Sequence, residues 1–389
     1  MQNWVARPAA DVRGELSVPG DKSVSHRAMM LGGIAEGVTT VSGFLDSEDC
    51  LATLSAMRRM GVRIERPAPH FVTVEGVGLR GLQGVGSPLD MGNAGTAMRL
   101  STGLLAGQDF DSELVGDSSL MRRPMERVAA PLRQMGAVIA TLEGRPPVRI
   151  TGGQRLHGID YDLQVASAQV KSAILLAGLY AEGRTAVTEH AVTRDHTERM
   201  LRAFGVEVQQ SGSTVAVVGG ASLSGCSIMV PGDFSSSAFF LVAGALAARE
   251  PLLVQNVGMN PTRTGLLAIL RLMGADIREH NARVAGGEPV ADLEVRASRL
   301  KGIEVPHELV PLAIDEFPVL FIAAAGAEGV TLVTGAEELR VKESDRIAVM
   351  AEGLAALGAK AEALPDGMRI EGGRLKGGTI DSHGDHRIA

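Results

Sequence analysis

The sequence predicts an α/β protein of two domains, made of repeated units that each read strand, helix, strand, helix and hairpin. Three observations carry this. A helix that ends at glycine and runs into a β-branched or small residue recurs as "MRRMGVRI" (57–64), "LRQMGAVI" (132–139), "LRAFGVEV" (201–208), "LRLMGADI" (270–277) and "LAALGAKA" (354–361). A strand entering a polar turn and then an Ala/Leu-rich helix recurs six times. The 389 residues exceed the roughly 100–200 of one domain and leave ample chain for sizeable cores.

In chain order the strand–turn–helix copies are "SVPGDKSVSHRAMMLGGIAEG" (17–37), "MGNAGTAMRLSTGLLAG" (91–107), "VASAQVKSAILLAGLYAEG" (165–183), "VPGDFSSSAFFLVAGALA" (230–247), "AIDEFPVLFIAAAGAEG" (313–329) and "DSHGDHRIA" (381–389). Between each of the first five and the next glycine-ended helix lies a further polar turn: "LDSEDC", "GDSSLMRRP", "TRDHTE", "NPTR" and "RVKESDR". The glycine supplies a left-handed cap, the residues after it start a strand, and a Gly-Gly hairpin such as "VRITGGQRLHG" or "VAVVGGASLSG" is expected to follow. The capping glycines, at 61, 136, 205, 274 and 358, are 75, 69, 69 and 84 residues apart, far longer than a solenoid repeat. Five complete units and the opening of a sixth result. The next capping glycine is expected near position ~432, so the sixth unit is expected to be truncated, as an engineered piece or a natural fragment.

Composition narrows the partners. Lys and Arg total 38 against 45 Asp and Glu, a net charge of −7, which excludes a broadly basic nucleic-acid surface and makes any anion site local. With 9 Phe, 2 Tyr and 1 Trp, base-stacking platforms and membrane aromatic belts are excluded too. The 48 glycines point instead to close backbone packing. Apolar runs such as "FFLVAGALAA" (239–248) fall short of the ~20 residues of a membrane span, and the N-terminal residues lack a secretory pattern. A cytoplasmic monomer with neither membrane nor nucleic-acid partner is expected. Cys50 and Cys226, 176 residues apart and without CxxC spacing, are read as small buried hydrophobes.

Several motifs fail on context. "GVGLRG" (76–81) has dinucleotide-site spacing, but "LQGVGSPLD" follows it and cannot open the required helix. In "GELSVPGDKS" (14–23), Asp21 separates Gly20 from Lys22, where a P-loop has Lys directly after Gly. His383, Asp385 and His386 lack the helical spacing of metal ligands, so neither metal nor cofactor is expected.

What survives is placement. Ser23, Asn93 and Ser235 at the helix starts are explained by capping, but the cations there are not, because the helix dipole disfavours them. Lys22, Arg27, Arg123, Lys171, Arg194, Lys342, Arg346 and Arg387 lie in or beside these turns, accompanied by Asp315, Glu316, Glu343 and Asp345. Helix starts and cations together fit polyanionic substrates. Carboxylates among cations stay ionised and can accept protons, and a lysine among cations can act as an acid.

At these residues the chain resembles the 5-enolpyruvylshikimate-3-phosphate synthase family of enolpyruvyl transferases. "PGDKSVSHR" (19–27), "GNAGTAMRL" (92–100), "RRPM" (122–125), "SAQVKSA" (167–173), "DEFPVL" (315–320), "LRVKESDR" (339–346) and "GDHRIA" (384–389) are similar to its signatures, in order, over essentially the whole chain. The resemblance implies an inverse α/β barrel of two domains, each of three βαβαββ-type units, closing on substrate. It places 1–19 with 233–389 in a discontinuous domain and 20–232 in a continuous one.

The implied reaction transfers the enolpyruvyl group of phosphoenolpyruvate to the 5-hydroxyl of shikimate 3-phosphate. Under it Lys22, Ser23, Arg27, Ser167, Gln169, Arg194, Asp315 and Lys342 contact shikimate 3-phosphate, with Asp315 taking the hydroxyl proton. Lys22, Asn93, Gly95, Arg123, Gln169, Arg346 and Arg387 contact phosphoenolpyruvate, and Glu343 with Lys22 moves the proton on and off the methylene carbon. Ala168 stands where many members have a second serine, Glu338 where some have asparagine, and "TRDHTE" lacks the tyrosine and serine of others. A later family lysine is expected beyond Ala389. The alternatives are an anion-binding fragment without turnover and the related UDP-N-acetylglucosamine enolpyruvyl transferase, which typically has Asn after the first lysine and a catalytic loop cysteine.

Overall fold

The computed structural model describes residues 4–8 and 12–389; residues 1–3 and 9–11, within the 1–19 segment assigned above, lie outside the described residues. The chain divides into two compact units. Unit 1 comprises Met1–Val18, Gly232–Arg283 and Pro289–Ala389, and unit 2 comprises Pro19–Pro231 and Val284–Glu288.

Strand β1 (Val12–Ser17) belongs to unit 1. Unit 2 follows with α1 (Lys22–Ile34), β2 (Glu36–Ser42), α2 (Glu48–Arg59), β3 (Arg63–Ala68) and β4 (Phe71–Val77). The pattern returns as β5 (Leu89–Asp90), α3 (Gly95–Ala106), β6 (Ser112–Val115), α4 (Glu126–Gln134), β7 (Val138–Leu142) and β8 (Arg145–Thr151). It returns again as β9 (Asp160–Leu163), α5 (Ala168–Gly178), β10 (Arg184–Glu189), α6 (His196–Ala203), β11 (Gln209–Ser211) and β12 (Thr214–Val218), before β13 (Ser227–Met229). Unit 1 resumes with α7 (Phe234–Ala247), β14 (Ala248–Gly258), α8 (Gly265–Leu272), β15 (Asp276–Ala285) and β16 (Glu288–Arg296). Its last elements are α9 (Phe317–Ala325), β17 (Val330–Val333), α10 (Arg346–Ala356), β18 (Lys360–Leu364) and β19 (Gly367–Glu371).

Four sheets share one plan: β13-β2-β4-β3, β5-β6-β8-β7, β9-β10-β12-β11 and β1-β14-β16-β15. In each, the outer strand runs parallel to its neighbour and the next pairing is antiparallel. The fifth sheet is β17-β19-β18.

All five capping glycines are left-handed, with φ of +91° at Gly61, +100° at Gly136, +87° at Gly205, +94° at Gly274 and +79° at Gly358. An L side chain resists that backbone, which is why the phrase needs glycine. The Gly-Gly pairs correct the expectation. Gly152–Gly153 and Gly219–Gly220 follow β8 and β12 rather than joining hairpins; the β7–β8 turn is Glu143–Gly144, both with positive φ. Gly76 lies on β4 against the carbonyl oxygens of Ala35 and Gly32, so the GxGxxG spacing serves packing.

Helices α1, α3 and α5 are buried from their second turn onward. Their small residues permit this: Gly103 of α3 lies against the Ala173 carbonyl of α5, where a Cβ would overlap. In unit 2 the core gathers residues such as Met29, Phe44, Met98, Leu176 and Phe204. In unit 1 it gathers Phe234, Leu241, Leu320 and Met350 with Phe317 and Phe321, whose ring centroids are 5.8 Å apart. Among the described residues no helix is long and apolar enough to cross a membrane. Cys50 is buried, but Cys226 is only half-buried, contrary to expectation, because it lies just before the short edge strand β13.

Candidate active site

Unit 2 brings the starts of α1, α3 and α5 together through side chains. Asp21, rather than Ser23, caps α1, its carboxylate accepting from the Val24 N–H at 2.9 Å. This is the residue that breaks the P-loop pattern. Lys22 opens the helix and places Nζ 3.1 Å from Asp49 Oδ2 on α2.

One turn further, Arg27 is buried and donates to the Ser23 carbonyl (3.0 Å), Thr197 Oγ1 (2.7 Å) and Ser172 Oγ (2.9 Å). Burial pulls its pKa down to about 10, with Glu198 acting in the other direction and the charge of Arg194 adding to the depression. Arg27 therefore stays cationic at neutral pH. Arg194, half-buried before α6, is close enough for its charge to be felt there.

No side chain caps α3, so its first turn is open to an anion. Asn93 is not a cap: its Nδ2 donates to Asp117 Oδ2 at 2.7 Å and its Oδ1 accepts from Arg123 Nη2 at 2.5 Å. Burial pushes Asp117 up, but hydrogen bonds from the Leu120 N–H and Asn93 bring it below the usual carboxylate range. Ser167 caps α5, its Oγ accepting from the Val170 N–H at 3.4 Å, which leaves the hydroxyl proton to donate elsewhere.

Gln169 is engaged at both ends, accepting from Arg99 Nη1 at 2.6 Å and donating to Thr96 Oγ1 at 3.0 Å. Lys171, counted above among the available cations, is buried between Glu189 (2.8 Å) and Glu198 (2.7 Å) and serves as an internal ion pair.

Unit 1 assembles a second cluster around Asp315, just before α9. Three guanidiniums face its carboxylate: Arg263 Nη1 at 3.4 Å, Arg346 Nη1 at 3.7 Å and Arg387 Nη2 at 3.9 Å. Arg346 opens α10 and is almost wholly buried. It binds Glu343 Oε2 at 2.7 Å and Asp385 Oδ2 at 2.9 Å, while its Nη1 has no hydrogen-bond partner. Burial pushes the Arg346 pKa down, but the Asp385 bond and the charges of Asp385, Glu343 and Asp315 raise it overall. Burial likewise raises Asp385, and Arg346 with the Arg387 N–H more than reverses this. Asp233, not Ser235, caps α7; the Ser235 hydroxyl donates to the buried Glu316 and accepts from Arg263 Nη2 at 2.7 Å. Asp345 caps α10 and pairs with Arg340 at 2.7 Å. Lys342 pairs with Glu338 at 2.6 Å, apart from these contacts.

The sequence reading gave no site role to Arg99, Arg263, Asp49 and Thr197, and weighed Asp385 only as a metal ligand. Arg99 lies inside "GNAGTAMRL" and Arg263 inside "NPTR", so each was in view, but their partners are far away in sequence. The cysteines do not suit nucleophilic chemistry: burial pushes the Cys50 thiol up to about 12 and raises Cys226 as well.

An uncapped start of α3 beside Arg123 in one unit, and carboxylates gathered on the buried Arg346 in the other, are features of an α/β enzyme that handles small anions. A sequence model of the family "EPSP synthase (3-phosphoshikimate 1-carboxyvinyltransferase)" matches residues 6–389. A 3-phosphoshikimate 1-carboxyvinyltransferase from Alkalilimnicola ehrlichii is 64% identical over 385 residues, covering 98% of this chain and 86% of that one. One from Methylococcus capsulatus is 59% identical, covering 99% and 89%. The solved EPSP synthase of Acinetobacter baumannii superposes with a TM-score of 0.89 at 58% identity, over 97% of this chain and 87% of that one. The chain belongs to the EPSP synthase (3-phosphoshikimate 1-carboxyvinyltransferase) family, enzymes of the shikimate pathway.

Proposed function

We infer that this chain transfers the enolpyruvyl group of phosphoenolpyruvate to the 5-hydroxyl of shikimate 3-phosphate and releases inorganic phosphate. The observation that carries this is Arg346, a single guanidinium that faces Asp315 at 3.7 Å and binds Glu343 at 2.7 Å. It gathers in one place the two carboxylates that an addition–elimination needs. Asp315 takes the proton of the acceptor hydroxyl as its oxygen bonds to C2 of phosphoenolpyruvate, and Glu343 with Lys22 protonates the methylene carbon, giving a tetrahedral ketal phosphate. The C2–O–P linkage then breaks at C2, phosphate leaves with the proton that Asp315 took up, and Glu343 removes a methyl proton to restore the double bond.

Lys22, Ser23, Arg27, Ser167, Gln169, Arg194, Asp315 and Lys342 hold shikimate 3-phosphate. Lys22, Asn93, Gly95, Arg123, Gln169, Arg346 and Arg387 hold phosphoenolpyruvate. In this reading the functional domains are 20–232 and 1–19 with 233–389. Two free cysteines support a reducing, cytoplasmic setting, and we take the acting form to be a monomer. Phosphate release requiring both substrates tests the proposal; binding without release would favour the anion-binding alternative.

Arg27→Ala is expected to raise the KM for shikimate 3-phosphate about tenfold, the scale of one charge-assisted hydrogen bond, and to change that for phosphoenolpyruvate little. Separate titration of the two substrates checks it, and equal rises would remove Arg27 from the acceptor site.

Gly95→Ala is expected to weaken inhibition by glyphosate, a bulkier mimic of phosphoenolpyruvate, more than it raises the phosphoenolpyruvate KM. The new Cβ would lie 3.1 Å from Arg123 Nη1 and 3.2 Å from Arg99 Nη1, so it presses on the ends of two flexible side chains rather than on backbone. A smaller ligand tolerates that narrowing better. Unchanged inhibition in a folded variant would place Gly95 outside the donor pocket.

A further inference from the structure

The hairpin of β15 and β16 carries a buried carboxylate that the reaction above does not use. Its strands lie in the sheet of unit 1, yet its tip, Val284–Glu288, packs as part of unit 2. Gly286 and Gly287 turn the chain there with φ of +59° and +86°. A Cβ on Gly287 would meet the Arg199 carbonyl at 3.6 Å and Ala203 Cβ at 3.8 Å, so the tip rests on α6.

Glu288 is 1% exposed. Its Oε1 accepts from His196 Nδ1 at 2.7 Å, and its Oε2 lies 4.0 Å from Arg199, which also pairs with Asp195. Both His196 and Arg199 lie on the first turn of α6, and Asp195 directly precedes it. A buried carboxylate is costly unless it is paired, so the tip fixes this helix start. The next residue, Thr197, takes the hydrogen bond of Arg27 Nε at 2.7 Å and donates to Ser172 at 2.7 Å. Arg194 lies two residues before His196. The same turn of backbone thus bears on two of the cations assigned to the acceptor, Arg27 and Arg194.

We propose that Glu288, through His196, is a positioning residue that sets Thr197, Arg27 and Arg194 for shikimate 3-phosphate, an inference that rests on the acceptor site proposed above. Glu288 touches no substrate. It acts by holding a helix start, so its loss spreads the orientations of two guanidiniums and leaves the donor site unaltered.

The test is calorimetric titration of the whole protein with shikimate 3-phosphate, alongside both Michaelis constants. Glu288→Ala is expected to raise the acceptor dissociation constant about tenfold, with the phosphoenolpyruvate KM within about twofold. Glu288→Gln, whose amide oxygen still accepts from His196, should restore most of the affinity. In an Arg27→Ala background, Glu288→Ala should add less than its separate effect, since part of its action runs through Arg27. Unchanged acceptor affinity in folded Glu288→Ala, equal loss of both substrates, or full additivity with Arg27→Ala would each overturn the inference. If Glu288→Ala does not fold, Glu288→Asp, which pulls the carboxylate back by one methylene, should still weaken the acceptor, and unchanged affinity there overturns it equally. Wild-type protein that fails to bind shikimate 3-phosphate would bring down the acceptor site itself, a result distinct from a wild type that binds and a variant that binds as well.

Discussion

Glu343→Gln is expected to lower turnover by at least ~10²-fold, the scale of acid–base catalysis, while leaving both Michaelis constants within a few-fold. Glutamine matches glutamate in shape, and its amide oxygen can still accept from Arg346 Nη2, which donates at 2.7 Å in the wild type. The Arg346 bond, worth about 1.5–3 kcal/mol as a hydrogen bond to a charged group, is therefore largely kept. Arg346 is also held by Asp385 at 2.9 Å, so the loss should report the missing proton transfer rather than a collapsed guanidinium. Steady-state kinetics at saturating substrates measure it. Near-normal turnover would take Glu343 out of the mechanism and leave the ion pair with Arg346 as its whole role.

Lys22→Ala should cost a similar ~10²-fold or more, and Lys22→Arg separates the two reasons it could. The ammonium sits at the first residue of α1, 3.1 Å from Asp49. An arginine there keeps a positive charge for anions but cannot give up a proton near neutrality. If Lys22 serves as an acid toward the methylene carbon, both variants lose turnover alike; recovery by arginine would reduce it to an electrostatic clamp. Single-turnover measurements with both substrates bound distinguish a slow chemical step from weak binding.

Much of this was legible because the requirements are local. A left-handed backbone at Gly61, Gly136, Gly205, Gly274 and Gly358 demands glycine whatever surrounds it, so the phrase announced the helix ends directly. The caps were harder. Asp21 and Asp233 lie two residues before the serines that the sequence offered, and either choice satisfies the same helix start. The Gly-Gly pairs after β8 and β12 looked like hairpin turns because two glycines fit a turn in any setting.

Site contacts were legible only where motif and contact coincide, as in Arg346 with Glu343. Arg99 with Gln169, and Arg263 with Asp315, join residues 70 and 52 positions apart. Nothing in the spacing of one helix reports what another helix brings to it. Lys171 shows the converse error: its place at a helix start suggested an available cation, while Glu189 and Glu198, supplied by β10 and α6, have neutralised it.

The excursion of the β15–β16 hairpin also governs how members of this family can be recombined. The stretch of gene encoding Pro19–Pro231 is continuous and spells three sheets with their helices, yet five residues of the same unit, Val284–Glu288, are encoded downstream of it. A chimera joined at the two obvious crossings would pair His196 from one parent with a hairpin tip from the other. Parents that differ at the position of Glu288 would then bury an imidazole with no acceptor, even though each parent folds well by itself. Exchange of this unit between relatives needs a third splice, five codons long, carried along with the rest.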